Sequence, residues 1–261
     1  MTLTRREFIQ AGVAAGASVA LGAAAAKPVL GLIAPPADYP VPPEGLALYD
    51  SRVAFKVFSL GVKDMTPAGF DPFLDKIVPG AQQLAKDGAN AIVIFGTSLT
   101  FYRGADFNQK MIDDVHKATG LKTTSMSSAV VNGLKEMNAK RIAVATAYAD
   151  EVNGRLKTFL REHGFEVLIL RGLGLDKIGA AGKVSQEELE RFAEGVFREA
   201  PKAEAMLVSC GGLRTLELVA PWEQTCKVPV VSSTPHALWA GARLLGVNAR
   251  VEGYGRLIAK G

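Results

Sequence analysis

The sequence has little of what metal centres, disulfide scaffolds and nucleic-acid grooves are built from. Cysteine occurs only twice in 261 residues, as Cys210 and Cys226, and the three histidines, His116, His163 and His236, are scattered singly. Two thiols are too few for a disulfide framework and lack the spacing of a zinc site, so no metal is expected. Charge runs are absent too. Arg5-Arg6 and Lys140-Arg141 are the only adjacent basic pairs, and the net charge is +4. A nucleic-acid groove needs clustered cations, so no nucleic-acid partner is expected. Aromatic residues make up 7%, but 48% of the chain is hydrophobic and 21% charged, a globular composition that excludes a disordered or collagen-like chain.

The N-terminus reads as an address. Thr4-Arg5-Arg6-Glu7-Phe8-Ile9-Gln10 precedes an uncharged, Ala/Gly-rich run, Ala11–Ala26. A charged segment, an apolar segment and small residues form the layout of a secretory signal, and Arg-Arg-x-Phe resembles the twin-arginine export signal. The run is 16 residues long, short of the roughly 20 that span a bilayer. Cleavage near Ala26 and a periplasmic mature protein with no stable membrane anchor are the expectation. In that oxidising compartment a Cys210–Cys226 bridge becomes an option.

From residue 27 on, short apolar runs alternate with helical patterns. Residues 29–34, 91–95, 141–146, 165–170, 205–209 and 228–232 read as buried strands of parallel sheets. Helical spacing fills 72–87, 106–119, 129–138, 150–163, 185–200 and 235–245, with Ser185-x-x-Glu188 as a capping box. The fold class is α/β. Three segments repeat: Leu30–Asp38 is echoed by Ile142–Asp150 at an offset of 112, Ala91–Gly96 by Ala205–Cys210 at 114, and Thr124–Ser128 by Pro229–Ser233 at 105. This order predicts two pseudosymmetric lobes, 27–138 and 139–234, each a mostly parallel sheet flanked by helices. Residues 235–261 would return to lobe 1. The strand-end loops then meet across a cleft, where α/β sheets bind ligands.

Three such loops carry chemistry: Gly96-Thr97-Ser98-Leu99, Thr146-Ala147-Tyr148 and Ser209-Cys210-Gly211-Gly212. Each joins small residues, which let backbone approach a ligand, to a hydroxyl or thiol. Cys226 has no such context and reads as a residue entering a strand. His236 reads as a helix-start residue, with contact to a polar substrate as the alternative.

Gly96–Ala105, Thr123–Ser128, Ala145–Asn153 and Ser209–Leu213 resemble the arylmalonate decarboxylase family of the aspartate/glutamate racemase superfamily, over about Gly31–Gly246. The resemblance implies two α/β lobes around a central cleft and cofactor-free decarboxylation of a disubstituted malonate to one enantiomer of a 2-aryl acid. It makes Cys210 the proton donor. Thr97, Ser98, Tyr148 and the Gly211 N–H would hold the retained carboxylate as it becomes an enediolate. Pro36, Val62, Met65, Leu99 and Ile178 would form an apolar pocket for the departing carboxylate. Superfamily racemases use one cysteine per lobe. The position equivalent to Cys210 is Gly96, so one product enantiomer is expected, and Gly96→Cys is expected to add racemase activity. The implied partner is a small dicarboxylate, and the chain is expected to be monomeric.

The run Asp38–Glu44 and the side chains of Val62, Met65 and Ala181 are where the pocket departs from the family pattern. Two other readings stand beside this one: a racemase or cis–trans isomerase of small diacids, and an exported carboxylate-binding protein.

Overall fold

The computed structural model describes residues 26–261. The twin-arginine motif and nearly all of the apolar run lie outside the described residues.

Among the described residues, eight strands form two four-stranded sheets. In the first, β1 (Val29–Ala34), β2 (Ala54–Ser59), β3 (Ala91–Ile94) and β4 (Lys122–Ser125) lie in the order β2-β1-β3-β4. In the second, β5 (Arg141–Tyr148), β6 (Glu166–Leu175), β7 (Ala205–Ser209) and β8 (Val230–Ser232) lie in the order β6-β5-β7-β8. Every pairing within both sheets is parallel. The expected two-lobed α/β fold is therefore present, with the same strand order in each lobe. The central strands β3 and β7 are buried along their whole length, as a sheet covered by helices on both faces requires.

Two strands were not expected. β4 is Lys-Thr-Thr-Ser, which holds no apolar residue, and β2 carries a lysine in a partly exposed edge position. Neither makes an apolar run. The third repeat also needs correction. Leu30 pairs with Ala91 as Ile142 pairs with Ala205, which supports the offsets of 112 and 114. Ile92, however, pairs with Thr123 while its equivalent Met206 pairs with Val230. Thr123 thus corresponds to Val230, Ser125 to Ser232 and Met126 to Ser233, an offset of 107 and not 105.

The helices follow local chemistry. The Ser185 hydroxyl accepts the Glu188 N–H at 3.1 Å and starts the helix Gln186–Arg198. Gly120, at φ +70°, ends the helix Ala105–Thr119 by donating its N–H to the His116 carbonyl. The helix Leu216–Cys226 was missed because Pro221 lies inside it. Cys226 is its last residue, not a strand residue, and both cysteines are free, buried thiols.

The helix Met126–Glu136, which follows β4, packs against its counterpart Ser233–Leu244, which follows β8 and also lies on β3 and β4. Most of Ser233–Leu244 is buried, including Leu238, Trp239 and His236. This helix pair fixes the two strand-end loop clusters against each other.

Candidate active site

A cleft with about 520 Å³ of open space, its mouth included, lies between the ends of β1, β3 and β7. Cys210, Gly211, Thr97, Ser98, Pro36, Met65 and Ile178 all face it.

Cys210 follows the last residue of β7. Its N–H donates to the Ser233 hydroxyl at 3.1 Å, and its thiol accepts the Gly212 N–H at 3.5 Å. Burial pushes the thiol up to about 11, opposed only in part by the Gly212 and Leu213 N–H groups and the Tyr148 hydroxyl. It is therefore a neutral S–H across the physiological range. The two glycines lie in tight quarters. A Cβ on Gly212 would meet the Ala181 Cβ at 3.1 Å, and one on Gly211 would meet the Met126 Sδ at 3.2 Å. The Thr234 hydroxyl donates to the Gly211 carbonyl at 3.0 Å and holds that peptide in place.

Lobe 1 repeats the arrangement. Gly96, at φ +92°, turns the chain from β3 into the short helix Thr97–Phe101. The Ser127 hydroxyl donates to the Thr97 carbonyl at 2.9 Å, just as Thr234 serves Gly211. The Thr97 hydroxyl lies 2.8 Å from the Ser233 hydroxyl, to which it donates, and 3.0 Å from the Met126 sulfur. Ser233 thus joins Thr97 and Cys210 across the cleft.

Tyr148 ends β5 and lies behind the wall of the cleft. Its hydroxyl is 3.3 Å from the Ser209 hydroxyl, and its ring meets Phe101 edge-on at 5.7 Å. Asn153 donates to its carbonyl at 2.9 Å while accepting from the Thr146 hydroxyl at 2.6 Å, so its backbone is fixed from both sides. Burial raises its pKa well above the ordinary phenol value, and the nearby Cys210 adds to this, against the Ser209, Thr97 and Ser98 hydroxyls. The phenol stays protonated and is available as a donor.

Met65 and Ile178 reach the cleft from opposite lobes on one strap. The Met65 N–H donates to the Asp176 carbonyl at 2.7 Å, and the Ile178 N–H to the Lys63 carbonyl at 2.9 Å. The Lys177 ammonium pairs with the Asp64 carboxylate at 2.6 Å between them. Val62 and Leu99, expected beside these residues, are buried at 2% and 0% exposure and pack behind the wall. The wall also holds Pro35, Tyr39, Phe70, Phe95 and Ala181. Of these, sequence reasoning flagged Ala181 and the run containing Tyr39, but neither Phe70 nor Phe95.

His236 is not on the wall. Its ring Nδ1 accepts the Ser232 N–H at 2.9 Å at the start of its helix, and burial lowers its pKa to about 4, so the ring is neutral. Among the described residues there is no group of three or more histidine, cysteine or acidic side chains placed to hold a metal.

The family model for arylmalonate decarboxylase matches residues 30–258. The chain belongs to the arylmalonate decarboxylase family. The arylmalonate decarboxylase of Bordetella bronchiseptica is 42% identical over 234 residues, 89% of this chain and 97% of that one. A crystal structure of a double mutant of arylmalonate decarboxylase in its liganded form superposes with a TM-score of 0.87 at 39% identity, covering 90% of this chain and all of that one. The maleate cis-trans isomerase of Nocardia farcinica, bearing a covalently bound succinylcysteine intermediate, shares the fold at a TM-score of 0.84 and 19% identity, over 90% of this chain and all of that one.

Proposed function

We propose that this member of the arylmalonate decarboxylase family is a carboxy-lyase that decarboxylates disubstituted malonates without a cofactor and protonates one face of the intermediate. One observation carries the reading: a buried, protonated thiol, Cys210, shares a cleft with the Thr97 and Ser98 hydroxyls and an apolar wall.

The retained carboxylate lies against Ser98, the Gly211 N–H and Thr97, whose hydroxyl proton turns to it from Ser233, with the Tyr148 hydroxyl packed behind them. When the C–C bond breaks, its electron pair passes into that carboxylate as an enediolate, and CO2 leaves. Negative charge grows on the retained group, so donors fixed there stabilise the transition state more than the substrate. One such donor is typically worth about 2.7–4 kcal/mol. The departing carboxylate faces Pro36, Met65 and Ile178, with Val62 and Leu99 behind them. These offer it no partner and favour neutral CO2. The Cys210 S–H then gives its proton to the α-carbon, and solvent returns one to the thiolate. Gly96 presents no acid to the opposite face, so a single enantiomer forms.

The absence of a thiol at Gly96 weighs against a two-cysteine racemase or isomerase of small diacids. The buried, protonated Cys210 weighs against a carboxylate-binding protein, in which it has no task. Export belongs to the same reading and is supported by Thr4–Gln10 and the apolar run after it. The mature protein would be a periplasmic monomer.

The test is CO2 release from phenylmalonate and methyl(phenyl)malonate under reducing conditions, with maleate isomerisation followed in parallel. Release from the malonates supports the reading. Isomerised maleate without CO2 overturns it.

A further inference from the structure

Tyr39 lines the cleft beside Cys210 and takes no part in the chemistry described above. Its placement is well defined. It lies in the proline-rich segment between β1 and the helix Pro43–Tyr49, directly after Asp38, which holds φ +50°. An aspartate tolerates that left-handed conformation better than most residues. The Tyr39 N–H donates to the Ser59 hydroxyl at the end of β2, at 2.9 Å. Its ring packs on Phe95, 6.5 Å between centroids at 55°. A proline-rich segment, a turn, a backbone anchor and a ring contact thus hold one phenol at the cleft.

Tyr39 is partly exposed, and its hydroxyl forms no hydrogen bond with the described residues and is open to solvent in the cleft, with Glu44 and Cys210 as neighbouring ionisable groups. Pro36, Met65, Phe70 and Ile178 supply the apolar part of the same lining. A hydroxyl held at the cleft and not engaged by the protein is free to bond a ligand there.

We propose that Tyr39 is a specificity residue whose hydroxyl bonds a polar group on the large substituent of the substrate, so that the preferred substrate class is hydroxyaryl malonates over plain aryl ones. The proposal rests on the decarboxylase reading. The retained carboxylate is assigned to Thr97, Ser98 and Gly211, and the departing one must stay unpaired to leave. The aryl group is what remains for an aromatic wall made by Tyr39 and Phe95. A hydrogen bond to a substrate hydroxyl discriminates strongly, because the analogue without it leaves the protein group unpaired.

The experiment compares kcat/KM for phenylmalonate with that for its 2-, 3- and 4-hydroxyphenyl counterparts, in wild type and Tyr39→Phe, with thermal melts of both proteins. The expected result is that wild type favours at least one hydroxyphenyl isomer, and that Tyr39→Phe lowers that preference about tenfold while melting like wild type. A preference ratio that Tyr39→Phe does not alter for any isomer overturns the proposal. So does faster phenylmalonate turnover in Tyr39→Phe, which would place the hydroxyl on the departing carboxylate. Release of CO2 from none of the four by wild type would instead sink the decarboxylase reading, and the Tyr39 proposal with it.

Discussion

The Thr97 hydroxyl donates to the Ser233 hydroxyl across 2.8 Å, and the same Ser233 oxygen accepts the Cys210 N–H at 3.1 Å. One serine at the start of the helix after β8 thereby ties Thr97 of lobe 1 to Cys210 of lobe 2. Its counterpart in lobe 1 is Met126, whose sulfur also touches the Thr97 hydroxyl. The pseudosymmetric frame thus holds a polar group at one of two equivalent positions.

Ser233→Ala removes the acceptor shared by both groups. The expected effect is a loss of about 1–2 kcal/mol in stability, because a buried N–H and a buried hydroxyl lose a partner. A fall of about tenfold in kcat with little change in KM is expected from misplaced donors. Steady-state kinetics and urea titration check both. Unchanged kcat would show that Ser233 does not position Thr97 or Cys210.

Cys210 must be a thiol to donate, and burial raises it to about 11. Activity should therefore hold from pH 7 to about 10 and fall only as the thiol ionises above that. The measurement is the alkaline limb of kcat/KM, with iodoacetamide alkylation alongside, which should be slow at neutral pH. An alkaline limb near the ordinary thiol value of about 8.5 would show a solvated Cys210.

Gly96 is the structural equivalent of Cys210 across the lobes, and Gly96→Cys would place a second thiol on the opposite face. The position resists a side chain: φ is +92°, and a Cβ there would collide with the Pro35 ring and lie 3.3 Å from the Leu99 Cβ. A non-glycine residue so placed costs about 1–3 kcal/mol. The variant should melt several degrees lower and should racemise pure product. Optical rotation that stays constant during incubation would count against a role for the second thiol.

Much of this frame was legible in the chain because buried parallel strands are apolar runs. Six runs placed six strands, and the offsets between Leu30 and Ile142 and between Ala91 and Ala205 are true structural equivalences. β4 escaped because its residues are hydrophilic, and the third offset failed because serines match serines at more than one register. Cys210, Gly211, Thr97 and Ser98 could be read because strand ends in α/β proteins carry the chemistry. Ser233 and Phe70 could not, since each owes its place to contacts between segments far apart in sequence. Val62 and Leu99 were apolar as expected, but apolarity does not tell a wall residue from one packed behind it.

The central claim is that one buried thiol protonates one face of an enediolate held by donors from both lobes. Its most direct test is turnover of methyl(phenyl)malonate by wild type and Cys210→Ala, with CO2 release and the optical purity of the acid measured on the same samples. A single enantiomer from wild type, with both rate and selectivity lost in Cys210→Ala, is the predicted result. Racemic acid from wild type, or a Cys210→Ala variant that still makes one enantiomer at the wild-type rate, would contradict it.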